Sequence, residues 1–212
     1  MRTDNLIAAL VADSSVKERP VPKAMLLLLA AALTVVSIGF VVWLPVRSDI
    51  ASTWAALAIA VKFMASMILA VCGTRLALAL AEPGRKIRPE CLAILAAPGF
   101  VLLALGIELM VEGFGDWQHR LVGMKQLACL VLVPTLSLLP LTALLLALRN
   151  GAATRPVITG MVCGLAAAGM GAMFYSLVCT DDSMLFVMTW YGLAAAIVAV
   201  IGAIGGKILL KW

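Results

Sequence analysis

The chain has 212 residues, of which 64% are hydrophobic and 13% are charged, and its formal net charge is +5. A globular domain is usually about 45 to 50% apolar and about 25% charged, because its surface faces water. This composition therefore excludes a soluble domain, a disordered chain and a secreted disulfide scaffold. A membrane-crossing helix uses about 20 residues, so the composition predicts a polytopic membrane protein.

The N-terminal segment, residues 1–23, is the one polar stretch long enough to hold a structure of its own. Thr3 or Asp4 is a suitable N-cap for a short helix, and Pro20 and Pro22 separate that helix from the first apolar run. The polar face of this helix has no basic stripe, so the helix does not suit an anionic lipid surface. We therefore predict that the helix docks in a groove of a soluble partner, using Asp4 and the apolar stripe Leu6, Ile7, Leu10 and Val11.

Six long apolar runs follow, each bounded by charged or turn-forming residues. They cover residues 24–44, 55–81, 91–111, 124–148, 157–177 and 184–209. They lack the alternation of apolar and polar residues that a membrane barrel needs. The backbone N–H and C=O groups must therefore form their hydrogen bonds within helices. The predicted fold is an all-α bundle of six transmembrane helices over residues 24–209, with a short tail at residues 210–212.

The positions of Lys and Arg predict the orientation of the bundle, because cytoplasmic loops are enriched in these residues. Twelve of the sixteen basic residues lie on the side of the two termini, and one, Lys62, lies inside a span. The opposite side has only Arg47, Arg120 and Lys125. Both termini are therefore predicted to lie in the cytoplasm.

Lys62 and Glu108 are the ionisable residues inside the second and third runs. Charged groups in a membrane are costly unless they are paired or face a cavity. Both residues fall toward the outer third of their helices, so we predict an ion pair that ties the two helices together. A proton or ion pathway is the weaker alternative, because few other polar positions accompany the pair.

The fourth run contains Pro134 and Pro140, each of which removes a backbone hydrogen bond and favours a kink. The helix is interpreted either as a hinge or as a static packing device. Gly160 and Gly164 in the fifth run, and Gly202 and Gly206 in the sixth, each have the four-residue spacing that permits close helix approach. These glycines are expected to pack within the bundle or in a dimer.

Orientation separates the five cysteines into two groups. Cys72, Cys91 and Cys163 fall toward the cytoplasmic side, whereas Cys129 and Cys179 lie on the outer side. The outer pair faces an oxidising compartment. Three interpretations remain open: a permanent disulfide, two unrelated buried thiols, or a switch operated by oxidants or thiol-binding metals.

The outer loops also contain His119, Asp116, Asp181 and Asp182. Their spacing matches no metal motif, and an acidic loop exposed to water is the favoured interpretation, with Asp182 or Ser183 as an N-cap of the sixth helix. Phosphate-binding, dinucleotide-binding and nucleophile-base motifs are absent. We therefore predict neither an enzyme nor a cofactor, no bound metal, no small-molecule substrate and no direct contact with nucleic acid.

Short motifs spread over the whole chain resemble the NrsF-type family of multi-pass membrane anti-sigma factors. Lys62 and Glu108 also match the family pattern. The motifs are Arg2-Thr3-Asp4-Asn5-Leu6-Ile7, Thr154-Arg155-Pro156, Cys179-Thr180-Asp181-Asp182-Ser183, Phe186, Trp190-Tyr191-Gly192 and Leu210-Lys211-Trp212.

This resemblance implies that the N-terminal segment binds an extracytoplasmic-function sigma factor at a bacterial inner membrane. It also implies that Cys129 and Cys179 respond to oxidative or metal stress. The resulting hypothesis is an anti-sigma factor that releases its sigma factor when the outer cysteines are modified. Because a periplasm oxidises ordinary thiol pairs, we expect burial of Cys129 to slow its oxidation. A membrane thiol-disulfide oxidoreductase is the main alternative, and a small transporter is the next.

Overall fold

Helices make up almost all of the part of the chain that the structure describes, and that part contains no strand. The structure is a computed structural model. It describes residues 21–50, 52–82, 87–113, 115–149, 151 and 153–210. The predicted sigma-binding residues, Asp4, Leu6, Ile7, Leu10 and Val11, lie outside the described residues.

Among the described residues, six helical segments are long and apolar enough to cross a membrane, in agreement with the predicted number. We number them spans 1 to 6. Their bounds are Lys23–Trp43, Thr53–Ala81, Arg88–Glu112, Trp117–Leu148, Pro156–Ser176 and Met184–Leu209. The helix that contains span 1 begins at Val21.

Three of the spans are interrupted. Span 3 comprises the helices Arg88–Ile94 and Ala96–Glu112, with Leu95 between them. Span 4 begins with a short helix, Trp117–Val122, and continues as Gln126–Leu148. Span 6 comprises Met184–Phe186, a π-helical turn over Val187–Tyr191, and Gly192–Leu209. A π-helical turn rotates the residues that follow it and is often found at functional sites.

Span 5 forms the centre of the bundle. In its most apolar stretch 67% of the residues are buried, and it packs against spans 2, 4 and 6. Span 3 lies at the periphery, where only 6% of the corresponding residues are buried. It contacts span 2 and the beginning of span 6. Most of the surface of span 3 is therefore not covered by the other spans.

Spans 5 and 6 approach each other through their glycines. A Cβ atom added to Gly164 would lie 2.7 Å from Ala199 Cα, and one added to Gly206 would lie 2.8 Å from Gly160 Cα. A Cβ on Gly202 would meet the carbonyl oxygen of Gly160. Real side chains do not fit at such distances, so the expected packing of these glycines within the bundle is confirmed.

Because successive spans run in opposite directions, three connections meet at one end of the bundle. These are the connections between spans 1 and 2, between spans 3 and 4, and between spans 5 and 6. We call this end the Asp182 end, and residues 177–183 the Asp182 loop.

Candidate functional site

The Asp182 loop connects spans 5 and 6 through a defined helix cap. The loop begins after Ser176, and Ser183 has the extended backbone of an N-cap, with φ −69° and ψ 136°. Its hydroxyl accepts a hydrogen bond from the backbone N–H of Leu185 at 3.2 Å. The prediction of an N-cap at this position is therefore confirmed, with Ser183 as the cap. A fixed helix start holds the preceding aspartates in place.

Asp182 joins two basic residues from different parts of the chain. Its carboxylate accepts hydrogen bonds from Arg47 Nη1 at 2.8 Å and Nη2 at 3.0 Å, and from Lys62 Nζ at 2.6 Å. The side chains of Arg47 and Lys62 are almost completely buried. Partial burial of Asp182 opposes ionisation, but hydrogen bonds from Arg47 and Lys62 outweigh it and hold the pKa of Asp182 below its ordinary value. Asp182 is therefore the counter-ion of two buried cations.

Arg47 and Lys62 also bind the backbone of the same loop. Arg47 Nη1 donates to the Cys179 carbonyl at 3.0 Å, and Lys62 Nζ donates to the Asp181 carbonyl at 2.6 Å. Arg47 makes a second ion pair, with Asp49. The guanidinium donates hydrogen bonds to the Asp49 carboxylate and holds the pKa of Asp49 below its ordinary value. The guanidinium and the ammonium thus link the connection between spans 1 and 2, and span 2 itself, to the Asp182 loop.

Glu108 has partners other than the one predicted. It forms an ion pair with Arg120, and it accepts hydrogen bonds from Ser183 Oγ at 2.9 Å and from the Met184 N–H at 2.6 Å. The predicted Lys62–Glu108 ion pair is therefore wrong. The free N–H groups at the start of span 6 attract the Glu108 carboxylate, whereas the ammonium of Lys62 reaches Asp182. The transporter alternative loses the ion pair on which it depended.

Asp181 attaches the loop to span 4. Its carboxylate accepts hydrogen bonds from the backbone N–H groups of Met124, at 3.1 Å, and Lys125, at 2.7 Å. These groups lie immediately before the helix that begins at Gln126. The interpretation of the two aspartates as a merely solvated acidic loop is therefore wrong, because both are occupied by contacts within the protein. Together with Glu108, they connect the Asp182 loop to spans 2, 3 and 4.

Cys129 and Cys179 lie in one buried cluster at the Asp182 end. Cys129 is 0% exposed and Cys179 is 1% exposed, and both are free thiols. The cluster also contains Tyr175, Phe186 and Tyr191. Burial raises the pKa of the Cys179 thiol, which disfavours the reactive thiolate at neutral pH. The structure thus brings the two predicted sensor residues together and shields both from water.

The remaining cysteines lie elsewhere in the bundle. Cys163 is buried in the other hydrophobic cluster, Cys72 is partly buried and Cys91 is exposed. The described residues contain no group of three or more His, Cys, Asp or Glu side chains arranged to hold a metal ion. Among the described cysteines, Cys129 and Cys179 are therefore the two in the cluster at the Asp182 end.

Two tyrosines surround the thiols. The rings of Tyr175 and Tyr191 lie 5.5 Å apart, measured between their centroids. The hydroxyl of Tyr175 donates to the Lys125 carbonyl at 3.1 Å. The buried hydroxyl of Tyr191 lies beside the Cys179 thiol, and no other described residue forms a hydrogen bond with it. Tyr191 belongs to the π-helical turn of span 6. Hydropathy does not predict this turn, although the Trp190-Tyr191-Gly192 motif overlaps its end.

The helix with the two predicted hinge prolines is continuous from Gln126 to Leu148. Pro140 is completely buried, and Ser137, between the prolines, donates to the Val133 carbonyl at 2.6 Å. A Cβ on Gly171 of span 5 would meet the Ser137 hydroxyl. Span 4 is therefore closely packed in this region, and the hinge at Pro134 and Pro140 stays a prediction.

Comparisons with known proteins match this chain over almost its whole length. The chain matches the family model NrsF, described as negative regulator of sigma F, over residues 10–212. It is 31% identical to the anti-sigma-F factor NrsF of Caulobacter vibrioides and 26% identical to the probable anti-sigma-F factor NrsF of Azospira oryzae. Each alignment covers all of this chain and all of the relative. No solved structure matches the chain. The chain belongs to the NrsF family of negative regulators of sigma F.

Proposed function

We propose that the protein is an anti-sigma factor of a bacterial inner membrane that binds an extracytoplasmic-function sigma factor through its N-terminal segment. Modification of Cys129 and Cys179 by oxidants or thiol-binding metals releases the sigma factor. Family membership supports a sigma factor as the partner. The observation that carries the sensing step is the burial of both thiols in one cluster at the Asp182 end, where the Asp182 loop joins spans 2, 3 and 4.

The distribution of basic residues supports an orientation with the Asp182 end in the periplasm. In the sequence, twelve of the sixteen Lys and Arg residues fall in the two terminal segments or near the connections between spans 2 and 3 and between spans 4 and 5. Arg47, one of the few basic residues at the Asp182 end, is neutralised by Asp49 and Asp182. This arrangement agrees with the enrichment of basic residues in cytoplasmic loops. In this orientation the sensor thiols lie toward the periplasm and the N-terminal segment lies in the cytoplasm.

The sensor thiols are close enough to the loop contacts to disturb them. The carbonyl of Cys179 accepts a hydrogen bond from Arg47, so a change at the Cys179 side chain moves a backbone group that Arg47 holds. Cys129 belongs to span 4, whose predicted hinge at Pro134 and Pro140 lies farther along the same helix. A disulfide or an adduct at these thiols shifts span 4 relative to spans 5 and 6, and biases a two-state bundle toward release.

Burial of the thiols explains how a sensor stays reduced in an oxidising compartment. Both cysteines are almost completely buried, and the raised pKa of Cys179 keeps it protonated. Periplasmic thiol oxidants that act on exposed thiolates therefore react slowly with the pair. A reagent that is small or soluble in lipid reaches it faster.

Substitution of single cysteines tests the sensing step. In cells exposed to hypochlorite, sigma-dependent transcripts should rise for the wild type and for the control Cys91→Ser, which changes an exposed thiol away from the cluster. They should stay at the basal level for Cys129→Ser and Cys179→Ser. An unaltered response in both of these variants would contradict the sensing role.

Charge introduced into the N-terminal stripe tests the binding step. The double change Leu6→Asp with Leu10→Asp should abolish co-purification of the sigma factor, because burial of a charge in an apolar groove is unfavourable. Ala12→Asp is the control, since residue 12 falls on the opposite face of the predicted helix. If the sigma factor still co-purifies with the double variant, the stripe is not the contact.

A further inference from the structure

The two thiols of the buried cluster have different surroundings. Cys179 belongs to the Asp182 loop, and the next residue, Thr180, is exposed. Cys129 lies in the first turn of the helix Gln126–Leu148 and is 0% exposed. Among the described residues the Cys129 sulfur makes no hydrogen bond, whereas the Cys179 S–H donates weakly to the Asp181 carbonyl at 3.8 Å. The pair is therefore unsymmetrical before any oxidant reaches it.

A buried ammonium lies close to the Cys179 sulfur. Lys62 Nζ is 2.6 Å from the Asp181 carbonyl oxygen, and Cys179 Sγ is 3.8 Å from the same oxygen. The sulfur and the ammonium are therefore no more than about 6.4 Å apart, the sum of the two distances. An opposite charge within about 4 to 6 Å favours the ionised form of a group. Burial raises the pKa of the Cys179 thiol, and the Lys62 charge opposes that rise.

Two tyrosine hydroxyls lie beside the same sulfur, and they differ in where their protons go. The hydroxyl of Tyr175 donates to the Lys125 carbonyl at 3.1 Å. The hydroxyl of Tyr191 is buried, and within the described part of the chain Cys179 is the group that it can reach. Its proton is therefore available to a negative charge on the Cys179 sulfur. A hydrogen bond donated to the charged form of a group favours that form.

We propose that Cys179 is the thiol that reacts first with a peroxide, as a thiolate that accepts a hydrogen bond from Tyr191, and that Cys129 then closes the disulfide. The inference rests on the proposed role of the two thiols as the sensor. It adds an order to that role, because it assigns the attack on the oxidant to the loop cysteine and the second step to the cysteine of span 4.

The two steps consume one peroxide and release two waters. In the first, the Cys179 S–H bond and the peroxide O–O bond break, and a sulfenic acid and one water form. In the second, the Cys129 sulfur attacks the sulfenic sulfur. The S–O bond and the Cys129 S–H bond break, and the disulfide and a second water form. The two sulfurs together lose two electrons, which the peroxide oxygens accept.

The test uses the full-length reduced protein in phospholipid nanodiscs, with hydrogen peroxide as the oxidant and dimedone as the trap for a sulfenic acid. Mass spectrometry locates the adduct and the disulfide. The wild type should form a Cys129–Cys179 disulfide with little adduct. Cys129→Ser should form one adduct, at Cys179. Cys179→Ser should form its adduct at least about tenfold more slowly, as expected when the attacking thiolate loses about 1.4 kcal/mol of stabilisation.

Tyr191→Phe in the Cys129→Ser protein tests the hydroxyl. It should slow trapping at Cys179 about fivefold at neutral pH, as expected for the loss of one hydrogen bond of about 1 kcal/mol. It should also raise the pH at which the rate levels off, while the final rate stays similar. A hydroxyl that only supports packing would not move this profile.

Thr189→Val in the same protein is the matched control. It removes a hydroxyl from an exposed residue of the same π-helical turn, so it should leave both the rate and the pH profile unchanged. Both proteins keep the other titratable groups that act on the Cys179 sulfur, which include Lys62, Asp181 and Tyr175. A difference between the two profiles therefore reports the Tyr191 hydroxyl. Alkylation in denaturant verifies that each protein starts fully reduced.

Four results would overturn the inference. Trapping at Cys129 that is as fast as trapping at Cys179 would contradict the order, and equal pH profiles for Tyr191→Phe and Thr189→Val would contradict the hydrogen bond to the thiolate. Wild-type thiols that are oxidised by hypochlorite but not by peroxide would exclude the peroxide reaction and leave the proposed sensing function intact. Thiols that resist both oxidants would contradict the order and the sensing function together.

Discussion

At the scale of single residues, Asp182 connects two separate parts of the chain at its end of the bundle. It is the shared counter-ion of Arg47 and Lys62, and the side chains of both cations are almost completely buried. Removal of one member of a buried pair leaves an uncompensated charge, and this costs more than the pair itself contributes. Lys62 in particular has no exposed surface through which water could replace the lost partner.

Asp182→Asn should therefore destabilise the protein by about 2 kcal/mol, a value below the usual cost for a fully buried pair because Asp182 is itself partly exposed. Asp49→Asn is the matched control, since Asp49 also pairs with Arg47 but lies at the surface and makes no contact with Lys62. It should change stability little. Unfolding in detergent checks both variants, and equal loss of stability in the two would contradict the role of Asp182.

The low pKa of Asp182 predicts how its contribution depends on pH. A carboxylate whose folded-state pKa is depressed stabilises the protein above its ordinary pKa of about 4, and the contribution is lost as the pH falls through the folded-state pKa. The stability difference between the wild type and Asp182→Asn should thus be constant from about pH 5 to 7 and should shrink below about pH 4. Unfolding curves at several pH values check this, and a difference that widens in acid would contradict it.

At the scale of helices, hydropathy predicts the number and approximate bounds of the spans, because about 20 apolar residues are required whatever the packing. The breaks at Leu95 and in the π-helical turn escape such a prediction, since their sequences are as apolar as the rest of the spans. The error in the partner of Lys62 has a related cause. Which carboxylate an intramembrane lysine reaches depends on the rotation of the helices and the path of the Asp182 loop, and hydropathy contains neither.

The glycine contact between spans 5 and 6 is the element-scale feature most sensitive to substitution. Gly202→Ala should destabilise the protein by about 1 to 3 kcal/mol, because its Cβ would meet the Gly160 carbonyl and force the helices apart. Gly106→Ala is the control, since a Cβ there meets no atom within 4 Å. The control should be neutral or slightly stabilising. A Gly202→Ala protein that unfolds like the control would show that the two spans pack more loosely than described.

At the scale of the whole molecule, the proposed function requires the sensor thiols and the sigma-binding segment to act at opposite ends of the bundle. The thiols and the Asp182 loop lie at one end, and span 1, which follows the N-terminal segment in the sequence, begins at the other. Span 5 packs against spans 2, 4 and 6 along this path, so a movement of span 4 at the sensor end has a continuous packed route across the bundle. Coupling between the two ends then requires that the oxidised and reduced thiols favour different arrangements of the spans.

The most direct test of this coupling is the affinity of the sigma factor for the full-length protein in nanodiscs, measured with the Cys129 and Cys179 thiols reduced and then oxidised. Oxidation should weaken binding by about 5- to 150-fold, the usual range for coupling between two sites. The same treatment should leave the affinity of a Cys129→Ser, Cys179→Ser double variant unchanged. Equal affinity of the reduced and oxidised wild-type protein would contradict the account.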